Sequence, residues 1–489
     1  PIKIDGNPDH PISQGKICAT GQGSVLNLYD PYRLRGPEYG SSSGKSGTLT
    51  WRQADAEIAR LLDECTKNSK EIALVLHSVH SPTSARVLSD FRAKYPTTHL
   101  YVYDLFNDAN RRRAWQLSYG STEIPSISWE KAKVVLALES DFLGTEGMTI
   151  EQIRRFTNGR DIMKSKDFNR LYCVEGAMSL TGANADYRLR LNPSQQLGLL
   201  LALINEIGLV RKKGSLKGTI PVQASGASLL QFANQHSLRV EVLNHLADDL
   251  CANIGHSIVL AGDVLPVEVH LAVNYLNEML GNSTLYEKEK SVSHSTLSTP
   301  SEFETLIAGM KAGQVGVVVH VGTNPVFQLP KEFGYEEALK RVPGSISLVE
   351  SPDETSRFCA YVLPANHALE SWGDFKVRTG VYSFQQPVIA PLYDTRQKEA
   401  VLLSWIQGKD SFKETLYHEY LMGYWEKTIF PALNRKVDFR SFWYASLHDG
   451  VVGVEEQRAV DYRFKSDSLA SVVPAASGGF VVGLTRNYY

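Results

Sequence analysis

Short apolar runs recur along most of this chain, each bounded by polar or turn-forming residues and each close to a stretch with helical spacing. The pattern predicts strands at Ile72–Leu76, Leu100–Tyr103, Val134–Leu138, Leu171–Glu175, Ser257–Ala261, Gly316–Val321 and Ser345–Val349. Thr50 is a suitable N-cap, and Trp51, Ala54, Ile58, Leu61, Leu62 and Cys65 follow it at the spacing of one helix face. Further helices are expected over Pro193–Ile207 and Val267–Leu280. Near-continuous apolar strands alternating with helices indicate parallel sheets covered on both faces. The predicted class is α/β, with several domains of mostly parallel sheets flanked by helices.

The remaining segments break this rhythm. Residues 1–50 are rich in Gly, Pro and Ser, end in Gly40-Ser-Ser-Ser-Gly-Lys-Ser-Gly47, and read as loop. Residues 281–301 are polar and turn-rich, as a loop or domain junction would be. Beyond about residue 410 the pattern is aromatic and irregular, and it closes on the strand-like Gly479-Phe-Val-Val-Gly-Leu-Thr485. That ending suggests a sequence cut inside a further domain. The start, Pro1-Ile-Lys without Met, likewise reads as a fragment or a processed product.

Composition narrows the picture mainly by exclusion. The 489 residues suffice for about three domains. With 43% hydrophobic and 21% charged residues the chain is globular, and a net charge of −2 offers nothing to nucleic acid or an anionic membrane. The longest apolar stretch, Leu197–Val210, is broken by Asn205 and Glu206 and is shorter than the roughly 20 residues a bilayer requires. The five cysteines, Cys18, Cys65, Cys173, Cys251 and Cys359, are too dispersed for a CxxC half-site and are expected to be small buried residues.

Candidate chemistry is sparse. His77 and His80 flank a strand end but lack a third ligand. Gly21-Gln-Gly23-Ser24 has no P-loop lysine and reads as a turn. Arg111-Arg-Arg113 is a basic cluster expected to be solvated or paired with acids. Gly322-Thr-Asn324-Pro325 directly follows a strand, where parallel sheets bind ligands. Trp372, between Glu370 and Asp374, is expected in an internal seam with both carboxylates bonded locally. The rings between Tyr417 and Tyr444 either cap a core or cover a partner.

Taken in order, several segments resemble the molybdopterin oxidoreductases of the dimethyl sulfoxide reductase family. They are Ile4-Asp-Gly-Asn-Pro-Asp-His-Pro11, Gly15-Lys-Ile-Cys18-Ala-Thr-Gly21 and Tyr29-Asp-Pro-Tyr-Arg-Leu-Arg-Gly-Pro37, followed by Leu171–Glu175, Ala185-Asp186 and Leu191-Asn-Pro193. Gly322–Pro325, Val362-Leu-Pro-Ala365 and Glu370-Ser-Trp-Gly373 continue the series. Ser24–Asp30, Ser179-Leu-Thr-Gly-Ala183, Leu369–Asp374 and Gln386–Asp394 are similar to one branch, the large iron–sulfur subunit of alternative complex III, a bacterial quinol oxidoreductase. The resemblance implies a remnant of the family's N-terminal domain at 1–50 and a first α/β domain split over 51–131 and 303–410. It also implies a second, Rossmann-like domain at 132–302, and an aromatic-rich segment, 411–489, leading into a truncated C-terminal domain.

The chain departs from the family where cofactors are held. Cys18 alone matches the cluster cysteines, and Thr20 stands where the family has Lys or Arg. Where the family has Asp-Pro-Arg this chain has Glu175, Gly176 and Ala177, and Gln196 replaces the guanine-binding carboxylate with an amide. The family's Glu-Gly-Arg becomes Thr379, Gly380 and Val381. The stretch 106–110, where a molybdenum ligand belongs, offers Asp108 alone. The expectation is therefore a chain with no cofactor, no metal and no catalytic residue of its own. Were a pterin or nucleotide bound, Gly322, Asn324, Glu175 and Gln196 would hold it. The expected role is a scaffold on the periplasmic, extracytoplasmic face of the bacterial inner membrane. Its partners would be a ferredoxin-like iron–sulfur domain, quinol-oxidising integral membrane subunits and haem-bearing cytochrome c subunits that pass electrons from quinol to a cytochrome c or copper-protein acceptor. The rival expectation is a catalytically active molybdenum oxidoreductase that works on a sulfur or nitrogen oxyanion. A third is a repurposed nucleotide pocket at Gly322–Pro325.

Overall fold

The computed structural model describes residues 3–45, 47–163, 168–216, 221–292, 295–408, 410–456 and 462–470. The chain divides into two compact units, one of residues 1–10, 19–105 and 293–456, the other of 11–18, 106–292 and 457–489.

The first unit is built on a six-stranded sheet in the order Glu38–Tyr39, Tyr361–Pro364, Gly344–Val349, Val315–Val321, Glu71–Leu76, Thr98–Val102. All neighbours are parallel except the short edge strand Glu38–Tyr39. Both faces are buried, and the strand period of two divides them. Ile72, Leu74, Leu76, Val317 and Val319 pack with the helices Trp51–Lys67, Pro82–Lys94 and Lys398–Gln407. Ala73, Val75 and Val318 pack with Pro300–Lys311 and Tyr335–Leu339 on the other side. The register slips once, between Val315 and Val317. Gly316 fits that bulge because a Cβ there would stand 2.7 Å from Cys65 Sγ.

The second unit carries a four-stranded, fully parallel sheet in the order Tyr187–Arg190, Arg170–Glu175, Val134–Leu138, Ser257–Ala261. Val134, Leu136, Leu138, Tyr172 and Val174 face the helices Gln196–Asn205, Val240–Ala252 and Val267–Met279. Val135, Ala137, Leu171 and Cys173 face Trp129, Phe142 and Phe156. The α/β class with mostly parallel sheets is thus observed, and all seven expected strands form within two residues of their predicted bounds.

Several expectations are corrected. The first fifty residues are not all loop: Ala19–Leu28 is a helix that contains Gly21–Ser24, so the expected turn there does not form. The run at 281–301 includes the strand Tyr286–Ser291, antiparallel to Pro125–Ile127. Residues 106–131, assigned in sequence to the first domain, belong to the second unit. Helix Ala109–Tyr119 packs there on Val267–Met279, with Asn274 Nδ2 donating to Ser118 Oγ (3.1 Å) and Tyr119 OH to Glu278 (3.0 Å). Residues 411–456 join the first unit, where Leu416, Tyr417, Leu421, Trp425, Phe442 and Trp443 enter its core. Of the rings from Tyr417 to Tyr444 only Tyr444 is exposed, so the core-capping reading of that segment holds. The strand-like 479–485 lies outside the described residues.

Glu370 and Asp374 are buried and bonded, Glu370 both locally, to the His367 N–H (2.8 Å), and across the chain, Asp374 to distant segments. Glu370 forms a bidentate pair with Arg33 (2.7 and 3.1 Å), with both side chains almost fully buried. Asp374 accepts from Ser81 Oγ (2.5 Å), Thr83 Oγ1 (2.7 Å) and Trp425 Nε1 (2.8 Å). Trp372 is half-buried and stacks on His418 at 4.0 Å.

Candidate functional site

Open parallel sheets bind ligands outside the carboxyl ends of their strands, where the strand order reverses. In the second unit that point lies between Val134–Leu138 and Ser257–Ala261, because the chain moves to one side of Val134–Leu138 and later returns on the other. Glu139 follows the first of these strands and Gly262-Asp263 the second.

Glu139 has φ +49°, a left-handed backbone that disfavours side chains. Its N–H donates to Val174 O (2.9 Å), and its carbonyl abuts Gly262, where a Cβ would stand 2.1 Å away. The side chain turns back over the sheet edge. Its Oε1 accepts the Gly176 N–H at 2.6 Å and the Gln196 amide at 2.9 Å. Gln196 is fully buried and also donates to Val174 O (3.2 Å), which leaves its own Oε1 without a donor among the described residues. Burial, then the neighbouring Glu175, push the Glu139 carboxyl up to about 7 against the pull of the Gly176 N–H, Gln196 and Arg188.

Glu175 is equally committed. Nearly buried at the next strand end, it accepts from Ser179 N–H (3.2 Å), Ser179 Oγ (2.6 Å) and Arg188 Nε (2.6 Å). It presses on Gly182, where a Cβ would come within 1.8 Å of Glu175 Oε1. Asp141 accepts from both the N–H and the hydroxyl of Thr181 at 3.0 Å. A second cluster continues past the switch point: Ser140 Oγ (3.0 Å) and Asp263 N–H (2.9 Å) donate to Glu146, and Arg111 reaches Asp263 at 3.6 Å. Burial and Asp263 push the Glu146 carboxyl up. Asp108, the candidate metal ligand, pairs with Arg111 (3.2 Å) and Arg112 (2.9 Å). Two members of the basic cluster are thereby paired with an acid.

The other two candidates, Gly322 and Asn324, lie in the first unit. Gly322 has φ +69° and faces Lys398, whose Nζ would sit 2.4 Å from a Cβ there. Asn324 accepts from Thr355 N–H (3.1 Å) and Oγ1 (2.8 Å) and donates to Glu354 (2.7 Å), so it braces its own loop. In this unit the strand order reverses between Glu71–Leu76 and Val315–Val321. His77, just past the first of these, pairs with Asp104 (3.2 Å) beyond the neighbouring strand Thr98–Val102, which raises the imidazole pKa. Among the described residues no group of three or more His, Cys, Asp or Glu is placed to hold a metal ion. Cys65, Cys173 and Cys359 are buried and burial pushes their thiols up, but Cys18 is exposed, contrary to expectation. The hairpin turn that replaces the family's Glu-Gly-Arg needs Gly380, which has φ +75° and lies against Val454 O.

Residues 33–402 match the family model of molybdopterin oxidoreductases. The chain belongs to the molybdopterin oxidoreductase family. It is 25% identical over 435 residues to the menaquinone reductase, molybdopterin-binding-like subunit, of Nitratidesulfovibrio vulgaris, a match covering 83% of this chain and 61% of that protein. Against a sulfite dehydrogenase subunit from Allochromatium vinosum it is 36% identical over 216 residues, 42% of this chain and 21% of that one. Among solved structures, acetylene hydratase from Pelobacter acetylenicus superposes with a TM-score of 0.65 at 13% identity, covering 91% of this chain and 70% of that one, and so shares the fold.

Missed in sequence was Glu139, the residue on which the second edge turns. For a family whose cofactor is a pterin nucleotide, this edge is a poor fit. A phosphate needs free N–H donors, yet the Gly176 N–H is taken by a carboxylate and a second carboxylate lies beside it. A ribose or guanine edge needs a free acceptor, yet Glu175 is saturated.

Proposed function

We propose that this chain is a cofactor-free scaffold within a membrane-bound respiratory quinol oxidoreductase of the alternative complex III type. The observation that carries this reading is the occupied edge of the second sheet, where Glu139 holds the Gly176 N–H and the Gln196 amide and Glu175 is bonded to Ser179 and Arg188. Similarity to a menaquinone reductase subunit described as molybdopterin-binding-like supports a quinone oxidoreductase complex as the setting. The chain spans 61% of that relative's length, so the partners proposed are those that complete such a complex: a ferredoxin-like iron–sulfur domain, quinol-oxidising membrane subunits and cytochrome c subunits. Among the described residues no helix is long and apolar enough to cross a membrane, which suits a peripheral position. The periplasmic face is the side proposed.

Membership of a family of molybdenum enzymes favours one rival, a working catalytic chain. Molybdenum and tungsten analysis of the purified chain, with a fluorescence assay for oxidised pterin, separates the two. The scaffold reading expects neither metal nor pterin, and either one near one per chain overturns it.

A further inference from the structure

We propose that Glu139 is an internal ligand: its carboxylate occupies an anion position at the carboxyl edge of the second sheet, over the ends of Val134–Leu138 and Arg170–Glu175, and excludes phosphate-bearing molecules from that edge. The inference deepens the scaffold reading and rests on it. It explains how the edge came to be closed, and by which residue.

Four observations converge. First, Glu139 stands where the backbone calls for glycine, at φ +49° and with its carbonyl against Gly262. A side chain is kept there despite the conformational cost. Second, the carboxylate takes the N–H of Gly176, the first residue beyond a parallel strand, which is the kind of donor a nucleotide phosphate uses at such an edge. Its Oε1 lies 3.5 Å from where a Gly176 Cβ would stand, so it rests over that residue as a bound anion would.

Third, Gln196 is turned to serve Glu139. Its Nε2 donates to the carboxylate while its Oε1, fully buried, goes without a donor among the described residues. A carboxylate at position 196, where the family segment resembled in sequence has one, would face Glu139 with a second negative charge. The amide supplies a donor instead. Fourth, the surrounding charges suit an occupant that is only partly ionised. Glu175 lies on the neighbouring strand with Arg188 bonded to it, and burial and Glu175 bring the Glu139 carboxyl to about 7.

The test uses the full chain with inorganic pyrophosphate as probe. Glu139→Gly frees the Gly176 N–H and relieves the left-handed backbone. Calorimetry and thermal shift should detect pyrophosphate binding to this variant, with wild type at least tenfold weaker. A folded Glu139→Gly that binds no pyrophosphate, or a wild type that binds equally well, overturns the proposal. Should the glycine variant fail to fold, Glu139→Gln decides. It keeps the acceptor without the charge, so its melting temperature should exceed that of wild type by a margin that grows between about pH 5 and pH 8. A margin flat across that range overturns the proposal. Failure here is distinct from failure of the scaffold reading. Molybdenum in the native protein would sink the scaffold whatever these variants do, whereas a metal-free chain whose Glu139→Gly ignores pyrophosphate loses only the internal ligand.

Discussion

The two parallel sheets meet the same backbone demand at their switch points and answer it differently. After Val315–Val321 the left-handed position is Gly322, and the groups around it, His77 and Lys398, are cationic or able to become so. After Val134–Leu138 the left-handed position is Glu139, and the groups around it include Glu175 and, beyond Gly262, Glu146. Glycine lets the Lys398 ammonium lie against the first edge, while glutamate fills the second with a carboxyl group bonded internally. A shared fold therefore does not carry a shared site: one residue type at one φ changes which group occupies an edge.

The comparison can be broken most forcefully at the frame of the first sheet. Arg33 and Glu370 are paired with their side chains 1% and 0% exposed, and removing one partner strands a buried charge. Arg33→Ala should cost about 3–5 kcal/mol, read as a lower denaturant midpoint. Loss below about 1 kcal/mol would mean that this pair does not hold the strand-end segments around Glu370 in place.

Trp372→Ala should cost less, about 2 kcal/mol, because the ring is only half-buried and its main partner is the His418 face. Thermal unfolding checks this, and an unchanged melting temperature contradicts the stacking.

Third in size is Glu139→Gln at the second edge. The Glu139 carboxyl is raised from 4.5 to about 7, so the folded state holds its proton more tightly than the unfolded chain. Wild type therefore loses stability as pH rises from about 4.5 through about 7, by about 1–2 kcal/mol once solvent screening of a half-buried group is allowed for. The Gln variant should lack that loss.

The smallest effect belongs to the first edge. Asp104 raises the His77 pKa above 6.5, giving stability that is present below 6.5 and lost as pH rises through the folded value. For this partly exposed pair the amount is about 0.5 kcal/mol. NMR titration of His77 should show its pKa falling in Asp104→Asn.

Much of the fold was legible because buried parallel strands leave a plain signature. Ile72–Leu76 and Val134–Leu138 are apolar at every position, and both their faces are covered. Where burial is slight the signature fades. Helix Ala19–Leu28 buries only Val25 and Leu28, and its Gly and Ser residues read as turn. Strand Tyr286–Ser291 is mostly charged because it lies in a two-stranded sheet with little core behind it. The aromatic run after residue 410 has no clean period because its rings fill an existing core rather than form a new one.

The site was half legible. Glu175 and Gln196 stood out as departures from a resembled motif, and the structure brings both to one edge. Glu139 did not, although an acid stands at or directly after the ends of Val134–Leu138 and Arg170–Glu175, and within two residues of Ser257–Ala261. Acids gathered at the carboxyl ends of parallel strands, where phosphate-bearing ligands commonly bind in such sheets, were the available signal.

The central claim is that this member of a molybdenum-enzyme family works without the cofactor. The most direct test is to count molybdenum, tungsten and pterin per chain in protein purified from its native source together with the proposed membrane complex. The account predicts all three far below one per chain while the complex still oxidises quinol; near-stoichiometric molybdenum or tungsten together with pterin would contradict it.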